Sequence, residues 1–286
     1  MSETSVLDYH LPADTQFSLQ HVTDDREVHE QAAQDLRDDD YEVRTVEDDF
    51  GGRTALLIYA KDAPDDPLAA FDSEDEFAQW IHDHFDVDDL PLVLAVFRAY
   101  RGIIEEKADA ADQLDLYKQM ELEAIPAIVD KVEWGQAVPD VGAELLSRFI
   151  LRHPMPNTNH RTGITLLDRY LTSIDDSFAM PDTGEEGEWY QWAEAFILDS
   201  KRLLTLRRKS QVFQYAAAVG YEAVRRKEGI TIDFDRSDPF GHYTREHLER
   251  TREFVDTLLE EAEAVHLHER VDDGKRVFVE RLRADQ

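Results

Sequence analysis

The sequence predicts a mainly α-helical fold that carries a small α/β region at its N-terminal end. Three observations support this prediction. Apolar residues recur at helical spacing from about residue 74 onward. Two β-rich segments, separated by a Gly-Gly pair, precede that region. Between the two parts, residues 62–68 are rich in Asp and Pro, which is typical of a linker. We therefore assign 1–70 to the α/β region and 71–286 to a helical domain.

The elements of the N-terminal region follow from local patterns. Residues 1–24 are polar, so they are expected to be irregular. Residues 26–37 predict a short acidic helix, because apolar side chains recur at four-residue spacing. Apolar and polar residues alternate over 41–46, and residues 54–60 are β-rich, which predicts two strands. Gly51-Gly52 supplies the turn between them.

The helical domain is predicted to contain a succession of helices, and its sequence shows no internal repeat. Each helix is placed where apolar residues recur every three or four positions. The predicted helices span 74–84, 91–108, 110–132, 139–152, 160–175, 187–208, 210–228 and 243–268.

The composition combines an ordinary apolar fraction with a large negative charge. Hydrophobic residues make up 42% of the 286, and 63 acidic residues against 31 basic ones give a net charge of −32. Disorder requires low hydrophobicity as well as high charge, so a folded protein is expected. Its carboxylate-covered surface is soluble where salt screens the self-repulsion, which favours a halophilic cytoplasm. Such a surface repels nucleic acid and anionic membranes, so neither is expected as a partner.

The chain contains no cysteine, which excludes disulfides, thiolate metal sites and cysteine nucleophiles. Its first ten residues, MSETSVLDYH, lack a basic region followed by an apolar run, so no secretory signal is predicted. No apolar stretch approaches the roughly 18 residues that a membrane span needs. The sequence therefore predicts a soluble, cytoplasmic protein.

Basic residues are scarce, yet two groups of them are dense. One interpretation is that these groups face a bound phosphate or an acidic partner. The simpler interpretation, which we favour, is that they pair with neighbouring carboxylates within the fold. The groups are Lys201, Arg202, Arg207, Arg208 and Lys209, and Arg225, Arg226 and Lys227.

One stretch, HPMPNTNHR from His153 to Arg161, concentrates side chains capable of chemistry. An apolar stripe at helical spacing precedes it, and Pro154 ends that helix because proline cannot donate a backbone hydrogen bond. Residues 157–159 are Asn, Thr and Asn, which commonly cap helices, and a second amphipathic helix follows them. The sequence therefore predicts a helix, a tight loop and another helix.

This arrangement suits the binding of a phosphate. The first N–H groups and the positive dipole end of the second helix face the loop, and both favour an anion. Arg161, in the first turn of that helix, adds donors that match phosphate oxygens. His153 ends the preceding helix and can take a proton near pH 7. Together they indicate transfer of a phosphate-containing group to a hydroxyl.

The motif resembles the signature of the Fic/Doc (fido) proteins, in which His, Phe, an acid, Asn and Arg stand at this spacing. Members of that family are all-helical and move AMP, phosphate or a related group from a nucleotide to a protein hydroxyl. The resemblance covers roughly residues 90–230. It implies that His153 deprotonates the target hydroxyl and that Met155 replaces the usual Phe as a core anchor.

The resemblance also implies nucleotide and metal roles within the motif. Asn159 would shape the loop, and Arg161 would grip a phosphate of ATP. Asn157 occupies the position of the acid that holds Mg²⁺ in the family. The residues implied in nucleotide binding are Thr158, Asn159, His160 and Arg161.

Three departures from the family signature bear on activity. Asn157 offers a neutral oxygen where a carboxylate is usual, so weaker Mg²⁺ binding is expected. His160 replaces the Gly of AMP-transferring members, and Ile164 replaces the second Arg that many of them carry. Doc-like members have Lys at the position of His160 and act as kinases, so the motif is closer to that branch.

The sequence therefore predicts a nucleotide-dependent protein-modifying transferase that uses ATP and Mg²⁺, with phosphoryl transfer preferred over AMP transfer. A non-catalytic fido-fold binding or regulatory protein is the alternative, because Asn157 replaces the acid. A toxin held by an antitoxin is compatible with either chemistry. The target protein and the oligomeric state, including a homodimer, stay open.

Other interpretations and candidate sites are weaker. HPMPNTNHR is also a good interhelical turn without any ligand. Residues 257–262 match only the first part of an inhibitory helix motif of Fic proteins. The histidines of 82–86 (HDHFD) and 242–247 (HYTREH) lack the spacing of a zinc helix, so they are not expected to bind a metal.

Overall fold

The computed structural model describes residues 6–50, 52–61, 74–109, 116–181, 189–218, 223–225, 230–232 and 239–284. It is mainly α-helical and includes small β-sheets, which confirms the predicted class. In chain order the elements are β1 (Val6–Asp8), β2 (His10–Leu11), β3 (Asp14–Thr23), α1 (Arg26–Asp38), β4 (Glu42–Phe50), β5 (Arg53–Lys61), α2 (Glu74–His84), α3 (Leu90–Asp109), α4 (Ala124–Val129), α5 (Val138–Arg152), α6 (Asn159–Ile174), α7 (Trp189–Arg208), α8 (Ser210–Ala218), β6 (Ala223–Arg225), β7 (Thr231–Ile232), α9 (Pro239–Glu261), a 3₁₀ helix (Val265–Glu269) and α10 (Lys275–Ala284).

The chain divides into two compact units that are discontinuous in sequence. The sequence assigned 71–286 to one helical domain, whereas the structure places 198–246 with the N-terminal region. Side-chain packing is the reason, because Leu203 and Phe213 share a buried apolar cluster with Phe17. The first unit comprises Met1–Ala63 and Leu198–Glu246, and the second comprises Pro64–Ile197 and His247–Gln286.

The first unit is built on a four-stranded antiparallel sheet with the order β2-β3-β5-β4. Alternate residues of its strands, including Leu19 and Leu57, are buried against apolar residues of α7, α8 and α9. Helix α1 packs on β3, β4 and β5. Its N-terminus is capped by Asp25, whose carboxylate accepts the backbone N–H groups of Glu27 and Val28. A second small sheet pairs β1 with β6 in parallel and β6 with β7 antiparallel.

The second unit is a helical assembly around α5 and α6. The apolar stripe predicted for α5 is fully buried, as Leu145 and Phe149 show, and it packs on a buried face of α6. The two helices approach closely at Gly163, where a Cβ atom would lie 2.9 Å from Leu146 Cδ1. Helices α2, α3, α4 and α10 and parts of α7 and α9 complete the same core.

The prediction that residues 1–24 are irregular is wrong for residues 6–23, while residues 1–5 lie outside the described part of the chain. Residues 6–23 contain β1, β2 and the whole of β3, which ends at Thr23. Phe17, Leu19 and Val22 are buried, but a register shift between Leu19 and His21 interrupts their alternation. That bulge hid the strand, because a strand is recognised in sequence by unbroken alternation.

Three predicted helices also need correction. The helix predicted over 110–132 is wrong for 116–123, which are not helical, although α4 falls within it; residues 110–115 lie outside the described part of the chain. The helix predicted over 210–228 is confirmed for α8 and wrong for Ala223–Arg225, which form β6; residues 219–222 and 226–228 lie outside the described part of the chain. The one predicted over 243–268 divides into α9 and the 3₁₀ helix, and α10 was not predicted.

Candidate functional site

The motif loop, which we define as residues 153–158, begins where α5 ends. His153 is the C-terminal cap of α5, with φ 57° and ψ 57°, and its backbone N–H donates to the Phe149 carbonyl at 2.9 Å. A left-handed residue commonly ends a helix, and Pro154, which cannot continue one, follows directly. His153 as a whole is half-buried, and the Nδ1 atom of its imidazole is buried.

The Asn159 side chain holds the motif loop in place. Its Oδ1 accepts the backbone N–H of Met155 at 2.8 Å, and its Nδ2 donates to the Met155 carbonyl at 2.8 Å and to the Asn157 carbonyl at 3.3 Å. Met155 is fully buried, which fits the core-anchor role that the sequence implied. One amide therefore satisfies three backbone groups and links the loop to the first residue of α6.

Helix α6 begins directly after a second left-handed residue, Thr158, with φ 53°. The first hydrogen bond of the helix runs from the Thr162 N–H to the Thr158 carbonyl at 2.9 Å. The Thr158 hydroxyl lies 3.4 Å from the Thr162 hydroxyl. The first two residues of the helix, Asn159 and His160, are buried, so α6 begins inside the unit and not at its surface.

Arg161 lies deeper in the same turn and reaches across to α3. Its side chain is only 7% exposed, and its Nη2 donates to both carboxylate oxygens of Glu106, at 3.0 and 3.1 Å. Glu106 itself is 64% exposed. The guanidinium that the sequence assigned to a phosphate is therefore covered by a carboxylate from the surface, and an incoming anion has to compete with it.

The residues predicted from the motif occupy one stretch of the second unit, and hydrogen bonds join several of them. Asn157, Thr158 and Asn159 form one network, since the Asn157 Oδ1 also accepts the Thr158 N–H at 2.6 Å. Arg161 is linked to α3 through Glu106. His153 is positioned as the C-terminal cap of α5.

The described residues do not fit a metal ion held by the protein. Asn157 offers a single neutral oxygen, and that oxygen already accepts a backbone N–H. Within the described ranges there is no group of three or more His, Asp or Glu residues that could hold a metal. Of the histidines in 82–86 and 242–247, His84 has its Nδ1 2.8 Å from the Trp80 carbonyl oxygen, and His247 has its Nδ1 2.8 Å from the Ser147 hydroxyl.

Two features of the site were not found from the sequence. Glu106 carries no local signal, because its partner lies 55 residues away. The segment 117–121 runs along the motif loop, with the Tyr117 N–H donating to the Pro156 carbonyl at 3.2 Å and the Glu121 N–H to the Pro154 carbonyl at 2.8 Å. Helical periodicity in this segment concealed a pairing that depends on distant backbone groups.

The side chain of Glu121 adds charge to this edge of the loop. It pairs with Lys118 and with Arg152, the last residue of α5. Burial raises the pKa of Glu121, but the hydrogen bonds and charges of Lys118 and Arg152 outweigh it and leave the pKa below its ordinary value. Glu121 is therefore an anion near neutral pH, and it fixes the segment 117–121 to the end of α5.

Comparison with known proteins places the chain by family. A model of a family of unknown function, DUF8172, matches residues 3–286. The chain belongs to this family. Neither a curated protein nor a solved structure matches it. None of the helices that the structure describes combines the length and the apolar character that a membrane span requires.

Proposed function

We propose that this DUF8172 protein is a nucleotide-dependent transferase of the Fic/Doc type, which moves a phosphoryl or AMP group from ATP to a protein hydroxyl. The observation that carries the proposal is the Asn159 amide, which ties the Met155 backbone and the Asn157 carbonyl to the start of α6. This is the loop-shaping role that the resemblance gives to this Asn. An ordinary interhelical turn needs no such buried clamp.

In the proposed reaction, His153 acts as the general base. Its imidazole takes the proton of the target hydroxyl while the hydroxyl oxygen forms a bond to phosphorus. Attack on the γ-phosphorus breaks the bond to the bridging oxygen and releases ADP. Attack on the α-phosphorus releases pyrophosphate instead. The half-buried position of His153 lets it meet a macromolecular substrate without leaving its helix cap.

The phosphate-binding part of the proposal rests on the first turn of α6. The helix dipole, the backbone N–H groups of residues 159–161 and the guanidinium of Arg161 all favour negative charge. Arg161 takes this role whenever Glu106 moves away. Mg²⁺ would arrive with the triphosphate, because Asn157 alone does not provide a protein-held site.

Radiolabelled ATP tests the proposal and identifies the group. The protein is incubated with a cell extract at high salt and with ATP labelled at either the α or the γ position, and protein labelling is compared with that of His153→Ala. We expect labelling to be lost in His153→Ala and retained in His266→Ala, an exposed histidine paired with Asp175. Equal labelling in both variants, or none with wild-type protein, removes the catalytic proposal.

A specific observation also favours the second candidate, a non-catalytic binding or regulatory protein. Glu106 already covers Arg161, and the Asn157 oxygen is already used by a backbone N–H. Calorimetry with ATP and Mg²⁺ separates the two candidates, because the transferase must bind nucleotide. The transferase proposal implies an acceptor protein as partner and a cytoplasm rich in salt as the setting. If the protein is a toxin, the proposal also implies an antitoxin.

A further inference from the structure

The structure divides the basic group at the end of α7 into two kinds of residue. Arg202 pairs with carboxylates inside the fold, at 2.8 Å from Asp199 and 2.9 Å from Glu246. Arg207 lies five positions further along the same helix and behaves differently. Among the residues that the structure describes, no carboxylate lies within ion-pair distance of it.

Two residues of α9 fix the position of the Arg207 side chain. Its Nε donates to the Thr244 hydroxyl at 3.0 Å, and that hydroxyl donates to the Phe240 carbonyl at 2.9 Å. Its guanidinium carbon lies 4.3 Å from the centroid of the Phe240 ring. The two terminal nitrogens, which form the fork that binds carboxylates, are therefore held in a defined place by contacts that do not use them.

The same residues combine an uncompensated charge with an exposed apolar ring. Burial alone lowers the pKa of Arg207, which is the sign of a desolvated cation that no neighbouring anion stabilises. Phe240 as a whole is 57% exposed. A desolvated charge without a partner costs free energy in an isolated protein. Arginine and aromatic residues are also the groups enriched at protein interfaces.

We propose that Arg207 and Phe240 form a docking site for a partner protein, in which the Arg207 fork binds a carboxylate and the Phe240 ring covers an apolar side chain next to it. A polyanion is the less favourable occupant, because a net charge of −32 repels nucleic acid and anionic membranes over long range. A single carboxylate on a protein segment carries little such repulsion. This proposal does not depend on the transferase activity.

Two short peptides that differ in one charge test the docking site. The probes are N-acetyl-Phe-Glu-amide and its neutral counterpart N-acetyl-Phe-Gln-amide, titrated against the full chain by ligand-observed NMR. We expect the Glu peptide to bind about tenfold more tightly than the Gln peptide, as one charge-assisted pair allows. Arg207→Gln and Phe240→Ala each abolish this preference or weaken binding by a similar factor.

Arg245→Gln is the matched control, because Arg245 is an exposed arginine of α9 in the same unit and its loss changes the net charge equally. It should leave the affinity unchanged. Arg207→Lys keeps the charge and removes the fork, so it should also bind more weakly even if Arg207→Gln misfolds. Equal effects of Arg207→Gln and Arg245→Gln overturn the proposal, as does no binding of either peptide. If phenyl phosphate binds more tightly than the Glu peptide, the site binds a phosphate ligand and the proposal of a carboxylate partner is overturned.

Discussion

At the scale of single residues, the motif loop is defined by two left-handed residues that are not glycine. His153 and Thr158, with φ 57° and 53°, lie at its two ends. Such a conformation costs about 1 kcal/mol or more for a residue with a side chain, so the surrounding structure must hold it. The hydrogen bond between Asn159 and the Met155 backbone and the burial of Met155 stabilise this conformation. These two unfavourable backbone conformations lie in the loop that carries the proposed general base.

Removal of the Asn159 amide should therefore destabilise the protein. Asn159→Ala leaves the buried N–H and carbonyl of Met155 without these partners, and we expect the free energy of unfolding to fall by about 2 kcal/mol. Urea unfolding followed by circular dichroism measures it. Asn159→Asp keeps the acceptor but turns a buried carboxylate toward the Met155 and Asn157 carbonyl oxygens, so it should lose at least as much stability. A wild-type midpoint for Asn159→Ala would contradict the clamp.

Glu106 should act as a competitor for anions at Arg161. Glu106→Gln removes the charge that covers the guanidinium, so ATP should bind more tightly than to the wild type if the first turn of α6 binds phosphate. Isothermal titration calorimetry measures the affinity. Glu105→Gln, on the same helix and paired with Arg101, changes the net charge equally and serves as the control. The idea fails if the two variants bind ATP alike.

Lys209 should make stability depend on pH in the alkaline range. Burial first, and then the charge of Arg208, lower the pKa of Lys209 to about 8 from 10.5. Because the folded amine loses its proton before the unfolded one, the free energy of unfolding should rise as pH increases between these two values. Below about pH 8 both states are protonated and the full penalty of burying the cation remains.

Lys209→Met tests this linkage. The variant should be more stable than the wild type at pH 7, where the buried cation is removed, and the difference should shrink as the pH approaches 10.5. Thermal unfolding at several pH values measures both effects. Lys209 is bonded to the Gln20 side chain, so Gln20→Leu is a useful comparison that leaves the cation in place. An unchanged pH profile in Lys209→Met would rule out this assignment.

At the scale of elements, the close approach of α5 and α6 presents the motif. A Cβ at Gly163 would lie 2.9 Å from Leu146 Cδ1 and 3.1 Å from Phe149 Cδ1, and both of these side chains are fully buried. Gly163→Ala should therefore cost about 1–3 kcal/mol of unfolding free energy. Chemical denaturation measures this cost.

Gly102→Ala is the matched control for the helix contact. Gly102 lies within α3, and a Cβ there meets no atom within 4 Å. Alanine favours a helix over glycine, so this variant should gain about 0.5–1 kcal/mol. If both variants gain stability, α5 and α6 are not packed as closely as described.

Elements with an unbroken apolar period were predicted well, and those without one were not. Helices α1, α2, α3, α5, α6 and α7 and strands β4 and β5 begin and end within a few residues of their expected bounds. Strand β3 was missed because its bulge interrupts the alternation. Residues 116–123 were assigned to a helix because local periodicity contains no information about the carbonyls of Pro154 and Pro156, which accept their N–H groups.

At the scale of the whole molecule, the net charge of −32 should make stability depend on salt. The Debye length falls from about 10 Å at 0.1 M to about 3 Å at 1 M, so added KCl screens carboxylate repulsion and should raise the melting temperature. Differential scanning calorimetry over a KCl series measures this. NaCl should act equally, because screening depends on ionic strength. A melting temperature that does not change with salt would contradict this account.

The sequence by itself determined the helical class, the acidic surface and the position of the motif between two helices, because these follow from composition and local periodicity. Only the tertiary structure decided that residues 198–246 join the N-terminal unit. It also decided that Glu106 covers Arg161 and that Arg207 has no carboxylate within reach among the described residues. Such contacts join positions far apart in the chain, and no local pattern specifies which distant side chain will fill a given place in the fold.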